Sequence, residues 1–241
     1  MREVTEPGGR SATSRAAKPG QAGAVDPAAA TEREIVRTPA GDARITWRLS
    51  ADARVVLALG HGAGGGVEAR DLVALAARLP AYGVTVALVE QPWRVAGKKV
   101  APAPKTLDAG WTAVWPMLAA PGLPLVAGGR SAGARVACRT AREVGARAVL
   151  ALSFPLHPPG KPERSRLEEL AEVGLPVLVV QGGRDPFGVP GEFPAGTDLV
   201  EVPDGDHGFA VPKRSDIGQE AALTVLTDGV LSWLRGYGAV G

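Results

Sequence analysis

Short apolar runs alternate along this chain with segments whose apolar residues recur every three or four positions. The runs at 54–59, 83–89, 123–128, 147–153 and 175–180 are almost continuously apolar. That pattern predicts strands buried on both faces, as in a parallel sheet covered by helices. A shorter run at 198–202 predicts one further strand. Between the runs, Leu72, Leu75, Ala76 and Leu79 mark one face of a helix over 69–80, and Leu107, Trp111, Trp115 and Leu118 mark another over 106–119. Helices are also predicted at 133–144, 165–173 and 216–235. Two alternating segments, 33–38 and 44–49, flank the turn Ala40-Gly41-Asp42 and read as a hairpin on one edge of the sheet. The fold class is therefore α/β, a mostly parallel sheet with helices on both faces.

Residues 1–31 have a different texture. They are rich in Ala, Gly, Pro, Ser and Arg, and their only large apolar residues are Met1, Val4 and Val25. Such a segment buries too little surface to offset its ordering entropy, so a disordered tail is expected, with one domain over 32–241. The segment 91–105, with three prolines, is expected to be a long polar loop. The formal net charge of +2 gives no reason to expect nucleic acid or a membrane surface as a partner. A single cysteine, Cys138, excludes an intrachain disulfide and a zinc site built on cysteines. Without a membrane-length apolar run or a signal-like N-terminus, a cytoplasmic location is the expectation.

The chemistry gathers where strands end, because open α/β sheets bind ligands at the carboxyl ends of their strands. Gly129-Arg130-Ser131-Ala132-Gly133 lies between a strand and a helix, the setting of a nucleophile elbow. Later strand ends supply Gly183-Arg184-Asp185 and Asp206-His207-Gly208-Phe209. The order Ser131, Asp185, His207 is one of the known orders of a serine triad. In such a triad His207 takes the proton of Ser131, and Asp185 orients the imidazole and stabilises its charged form. The backbone N–H groups of Ala63 and Ala132 are the candidate oxyanion donors. Asp204 and Asp206 are rival acids, better explained as loop hydrogen-bond acceptors. Trp93, Arg94, His157, Phe187 and Phe209 are candidate pocket residues, with His157 weighted toward a structural role. His61 is expected to shape its loop, and Cys138 to pack in the core.

Together with Gly60-His61-Gly62, these elements resemble the α/β-hydrolase superfamily over about residues 32–236, and in particular its small dienelactone-hydrolase-like members. Gly129-Arg130-Ser131 and His157-Pro158-Pro159-Gly160-Lys161-Pro162 are similar to a group of predicted bacterial hydrolases with animal relatives, one of them associated with a chromatin acetyltransferase complex. The resemblance implies about eight strands, no cofactor, and Ser131, Asp185 and His207 as triad. Dienelactone hydrolases themselves use a cysteine nucleophile, so the serine here points to another reaction. Only about 20 residues separate the strands ending at 153 and starting at 175, too few for a cap domain. An open site is therefore expected, acting on a small-molecule ester or thioester.

Two other functions fit parts of the pattern. Gly60-His61-Gly62-Ala63-Gly64-Gly65 satisfies the dinucleotide fingerprint G-x-G-x-x-G, with Glu90 at the end of the next strand. That reading leaves Ser131, Asp185 and His207 without a role. A non-catalytic scaffold of the same fold is the other alternative.

Overall fold

The computed structural model describes residues 31–236. The expected tail lies outside these residues, apart from Thr31, which begins the first strand. Eight strands form one sheet: β1 (Thr31–Thr38), β2 (Gly41–Arg48), β3 (Val55–Gly60), β4 (Val84–Glu90), β5 (Leu125–Arg130), β6 (Ala148–Leu152), β7 (Val177–Gly182) and β8 (Leu199–Val202). Their order is β1-β2-β4-β3-β5-β6-β7-β8. The hairpin β1–β2 sits at one edge and joins β4 antiparallel, while all pairings from β4 to β8 are parallel.

Six α-helices cover the sheet: α1 (Arg70–Arg78), α2 (Pro92–Val95), α3 (Pro104–Ala119), α4 (Ala132–Thr140), α5 (Leu167–Ala171) and α6 (Gln219–Gly236). The helix expected over 69–80 ends as a 3-10 turn at Leu79–Tyr82, where Pro80 interrupts it. The segment 91–105 is not wholly loop. It contains α2, which opens with Pro92 at its first position, and the start of α3.

Side chains alternate across each strand, so every central strand feeds two cores. Leu57, Leu59, Val126, Leu150, Leu152 and Val180 pack under α1 and α6. Val56, Ala58, Ala127, Ala151 and Val179 pack under α3 and α4, with Trp111, Val114 and Val136. The second face is lined at its centre by alanines, and these small side chains let α4 lie close to the sheet. Trp111 and Trp115 form one buried face of α3, with ring centroids 5.9 Å apart. Cys138 is buried in the same layer, and burial pushes its thiol pKa up to about 12. The link from β6 to β7 carries only the five-residue α5, so no cap domain covers the strand ends there. No helix among the described residues is long and apolar enough to cross a membrane.

Candidate active site

Ser131 stands between the last residue of β5 and the first of α4, with φ 53° and ψ −113°. A non-glycine residue at positive φ is strained, and here the surroundings force it. The Ser131 N–H donates to the Leu152 carbonyl at 2.9 Å, which ties the turn to the neighbouring strand. A Cβ on Gly129 would come within 2.6 Å of the Gly60 carbonyl oxygen, and one on Gly133 would meet the same oxygen at 2.6 Å. Both glycines are thus required by the close contact of β3, β5 and α4.

The three widely separated residues Ser131, Asp185 and His207 meet at the strand ends. His207 Nε2 lies 2.9 Å from Ser131 Oγ, and His207 Nδ1 lies 2.8 Å from Asp185 Oδ2. Asp185 is buried and accepts twice more: from the Phe187 N–H to Oδ1 at 2.9 Å, and from Gln181 Nε2 to Oδ2 at 3.0 Å. Gln181 is also buried and donates to the Gly188 carbonyl at 2.8 Å. Its role is not legible in the sequence, where it is simply the first residue after the apolar run 175–180. Asp206 Oδ1 accepts the N–H groups of Gly208 and Ala210, and Asp204 Oδ2 accepts from Ser215 Oγ. Both rival acids are engaged within their own loop.

The hydrogen-bond partners of the three histidines differ, and with them the work each ring can do. His61 Nδ1–H donates to the Gly62 carbonyl and Nε2 accepts the Gln91 N–H, so the ring is neutral. Burial, the dominant influence, lowers its pKa. His157 faces two pure acceptors, the Pro158 carbonyl and the Glu192 carboxylate, each at 2.9 Å, an arrangement that requires protons on both nitrogens. The Pro158 carbonyl first, and then Glu192, raise its pKa. His207 lies between an acceptor-only carboxylate and a hydroxyl. It can donate from Nδ1 and accept at Nε2, as a base for Ser131 requires.

On the other side of Ser131, Ala132 opens α4, whose first N–H groups have no intrahelical acceptor. Ala63 is exposed in the glycine-rich loop, and both residues line a small cleft with Gly62, Trp93, Trp111 and Val136. Trp93 is buried with its ring against His61, at 5.5 Å between centroids, and also borders a groove of about 370 Å³ beside the β1–β2 turn. Phe187 is half-buried and packs on the His207 ring at 4.2 Å between centroids. Arg94 pairs with Glu68 at 3.2 Å, which offsets its charge.

Phe209 requires a correction. It was expected to wall the site but is fully buried in the core under α1 and α6. The chain turns at Phe209 with φ 55°, so its ring anchors the histidine loop from below. Glu90, the acid of the dinucleotide pattern, is held by Arg44 at 2.7 Å. Among the described residues, no group of three or more His, Cys, Asp or Glu side chains is placed to hold a metal ion.

Residues 51–235 match the family described as "Alpha/beta hydrolase domain". The chain belongs to that family. Among solved structures it is similar to a lidless α/β serine hydrolase from Xanthomonas campestris, at 21% identity and TM-score 0.67 over 88% of this chain and 98% of the other. It is also similar to a dienelactone hydrolase from Anabaena variabilis, at 17% identity and TM-score 0.64, covering 86% and 97% of the two chains. A third is Est1E from Butyrivibrio proteoclasticus with ferulic acid bound, at 16% identity and TM-score 0.61, covering 84% and 99%. At these identities the likeness concerns the fold. Among curated proteins there is no significant match.

Proposed function

We propose that the protein is a serine hydrolase that cleaves a carboxylic ester or thioester through an acyl-enzyme. The observation that carries this reading is the hydrogen-bonded sequence Ser131 Oγ, His207, Asp185, with the serine held at positive φ on a glycine-flanked turn.

In the first half-reaction, Ser131 Oγ attacks the substrate carbonyl carbon as His207 Nε2 takes the hydroxyl proton. Asp185 stays ionised and stabilises the imidazolium through Nδ1–H. The tetrahedral oxyanion accepts from the N–H groups of Ala63 and Ala132, the second of them held at the start of α4. Collapse breaks the bond to the leaving alkoxide or thiolate, and His207 returns the proton to it. Water then repeats the sequence against the acyl-enzyme and frees the acid and Ser131. No cofactor is needed. The substrate is a small molecule, and Trp93 and Phe187 are the walls it meets. Arg94 adds little preference for anions while it is paired with Glu68. The ferulic acid held by Est1E fits an aromatic acyl group as one member of the class.

Labelling with a fluorophosphonate tests the reading. Wild-type protein is expected to label, and Ser131→Ala not to. A folded wild type that never labels points instead to a scaffold that has kept the fold without the activity.

A further inference from the structure

Resting on that reading, we infer that Arg130, anchored by Asp71, is a positioning residue that holds the backbone of His207 at the right distance from Ser131. Arg130 occupies the first unspecified position of the G-x-S-x-G turn and immediately precedes the nucleophile. Its side chain turns away from solvent and spans two parts of the fold. Arg130 Nη2 donates to the His207 carbonyl at 2.6 Å, and Arg130 Nε donates to Asp71 Oδ2 at 3.1 Å. Gly62 and Gly208 flank it: a Cβ at Gly62 would lie in ordinary contact 3.4 Å from Arg130 Nη1, and one at Gly208 3.8 Å from Nη2. The guanidinium lies between the glycine-rich loop and the histidine loop.

The histidine loop needs an external reference. It joins β8 to α6 as turns without regular structure. Asp206 shapes it internally, while Phe209 and the bond from Gln219 Nε2 to the Phe209 carbonyl fasten it to the core. The Arg130 bond reaches the elbow itself, so the backbone of His207 is placed relative to the residue next to Ser131. Asp71, in the first turn of α1, is fully buried, and its Oδ1 has no hydrogen-bond partner among the described residues. A buried ion pair of this kind is a poor stabilising device, because desolvation consumes most of its Coulomb energy. Its geometric effect is definite: it leaves the guanidinium one direction to point.

The test uses Arg130→Met, which keeps the bulk of the side chain and removes its donors. Activity is followed with p-nitrophenyl acetate, and the His207 Nδ1–H proton by its far-downfield NMR resonance, identified by its absence in His207→Gln. Arg130→Met is expected to lower kcat ~10–100-fold with KM within ~2-fold, as for a reacting group displaced by a fraction of an ångström. The resonance is expected to broaden or vanish at unchanged far-UV circular dichroism. In Arg130→Ala, which leaves the space empty, millimolar methylguanidinium should restore part of kcat, and Arg130→Lys should fall between wild type and Arg130→Met. Wild-type kcat with an intact resonance in Arg130→Met overturns the inference. If Arg130→Met does not fold, Asp71→Leu, which removes the acceptor, carries the test, with the same signature expected and wild-type behaviour overturning it. A wild type without esterase activity or labelling defeats the hydrolase reading alone, and the NMR resonance still decides the clamp.

Discussion

The two sides of Ser131 are built differently. On the histidine side, the catalytic candidates are held by protein partners: Asp185 accepts from His207, Gln181 and Phe187, and the His207 carbonyl accepts from Arg130. On the glycine-loop side, Ala63 is exposed, and a Cβ added at Gly64 or Gly65 would meet nothing within 4 Å. On the proposed mechanism, the contrast follows from what each side has to do. Proton transfer depends on tenths of an ångström and needs a group held before substrate arrives. A substrate of unfixed shape needs room, and the short link between β6 and β7 leaves that room uncovered.

Substitutions can test this asymmetry in order of expected effect. Ser131→Ala and His207→Gln should each lower ester turnover by about 10⁴-fold or more, because members of a triad act as a unit. Asp185→Asn should cost up to about 10⁴-fold by favouring the wrong tautomer of His207. Asp206→Asn should cost far less, and the reverse ranking in steady-state kinetics would assign the acid to Asp206. Gln181→Leu removes one donor to the buried carboxylate, a loss of about 1–3 kcal/mol. It should appear as a roughly tenfold lower kcat, and undiminished activity would show that Asp185 is held without it.

A smaller effect is expected at His157, which lies on the supporting side. Its N–H donates to the Phe187 carbonyl and its ring pairs with Glu192. The His157 pKa is raised above 6.5, so its contribution to stability is complete below that pH and is lost as pH rises through the raised value. The Glu192 pKa is lowered from 4.5, chiefly by the Val189 N–H and then by His157, so its contribution is present above 4.5 and is lost as pH falls through the lowered value. The pair therefore supports the fold most between about pH 4.5 and 6.5. Thermal unfolding of His157→Gln should show its largest deficit in that window and a shrinking one as pH rises above it; a deficit that does not change with pH would mean the ring acts by packing alone. The smallest effect belongs to the open side: Gly65→Ala should leave kcat within ~2-fold, since the added methyl meets only solvent-filled space. A large loss there would mean that the loop closes over bound substrate.

The legible parts of the sequence were those with a local cause. Continuous apolar runs marked β3 to β7 because burial on both faces leaves no polar positions to interrupt them. Strand ends were misplaced where hydrogen bonding outlasts hydrophobicity: β5 continues through Gly129 and Arg130, which pair with Ala151 and Leu152. The helix α2 was hidden in a polar, proline-bearing stretch, since four residues are too short to show a period.

Fold class, the elbow turn and the chain order of Ser131, Asp185 and His207 follow from sequence alone, because glycine-flanked turns and apolar periodicity are local chemistry. Only the tertiary structure decided which side chains serve the same atoms. Gln181 and Arg130 look ordinary in the chain, one following an apolar run and the other at an unspecified position of G-x-S-x-G. Arg130 reaches Asp71 and His207, far away in the chain, while Gln181 meets Asp185 and Gly188 only because the loop after β7 folds back on the strand end, and Phe209, adjacent to the site in sequence, turns into the core. Contacts between distant segments depend on how strands are ordered and how loops turn, and no single segment encodes that arrangement.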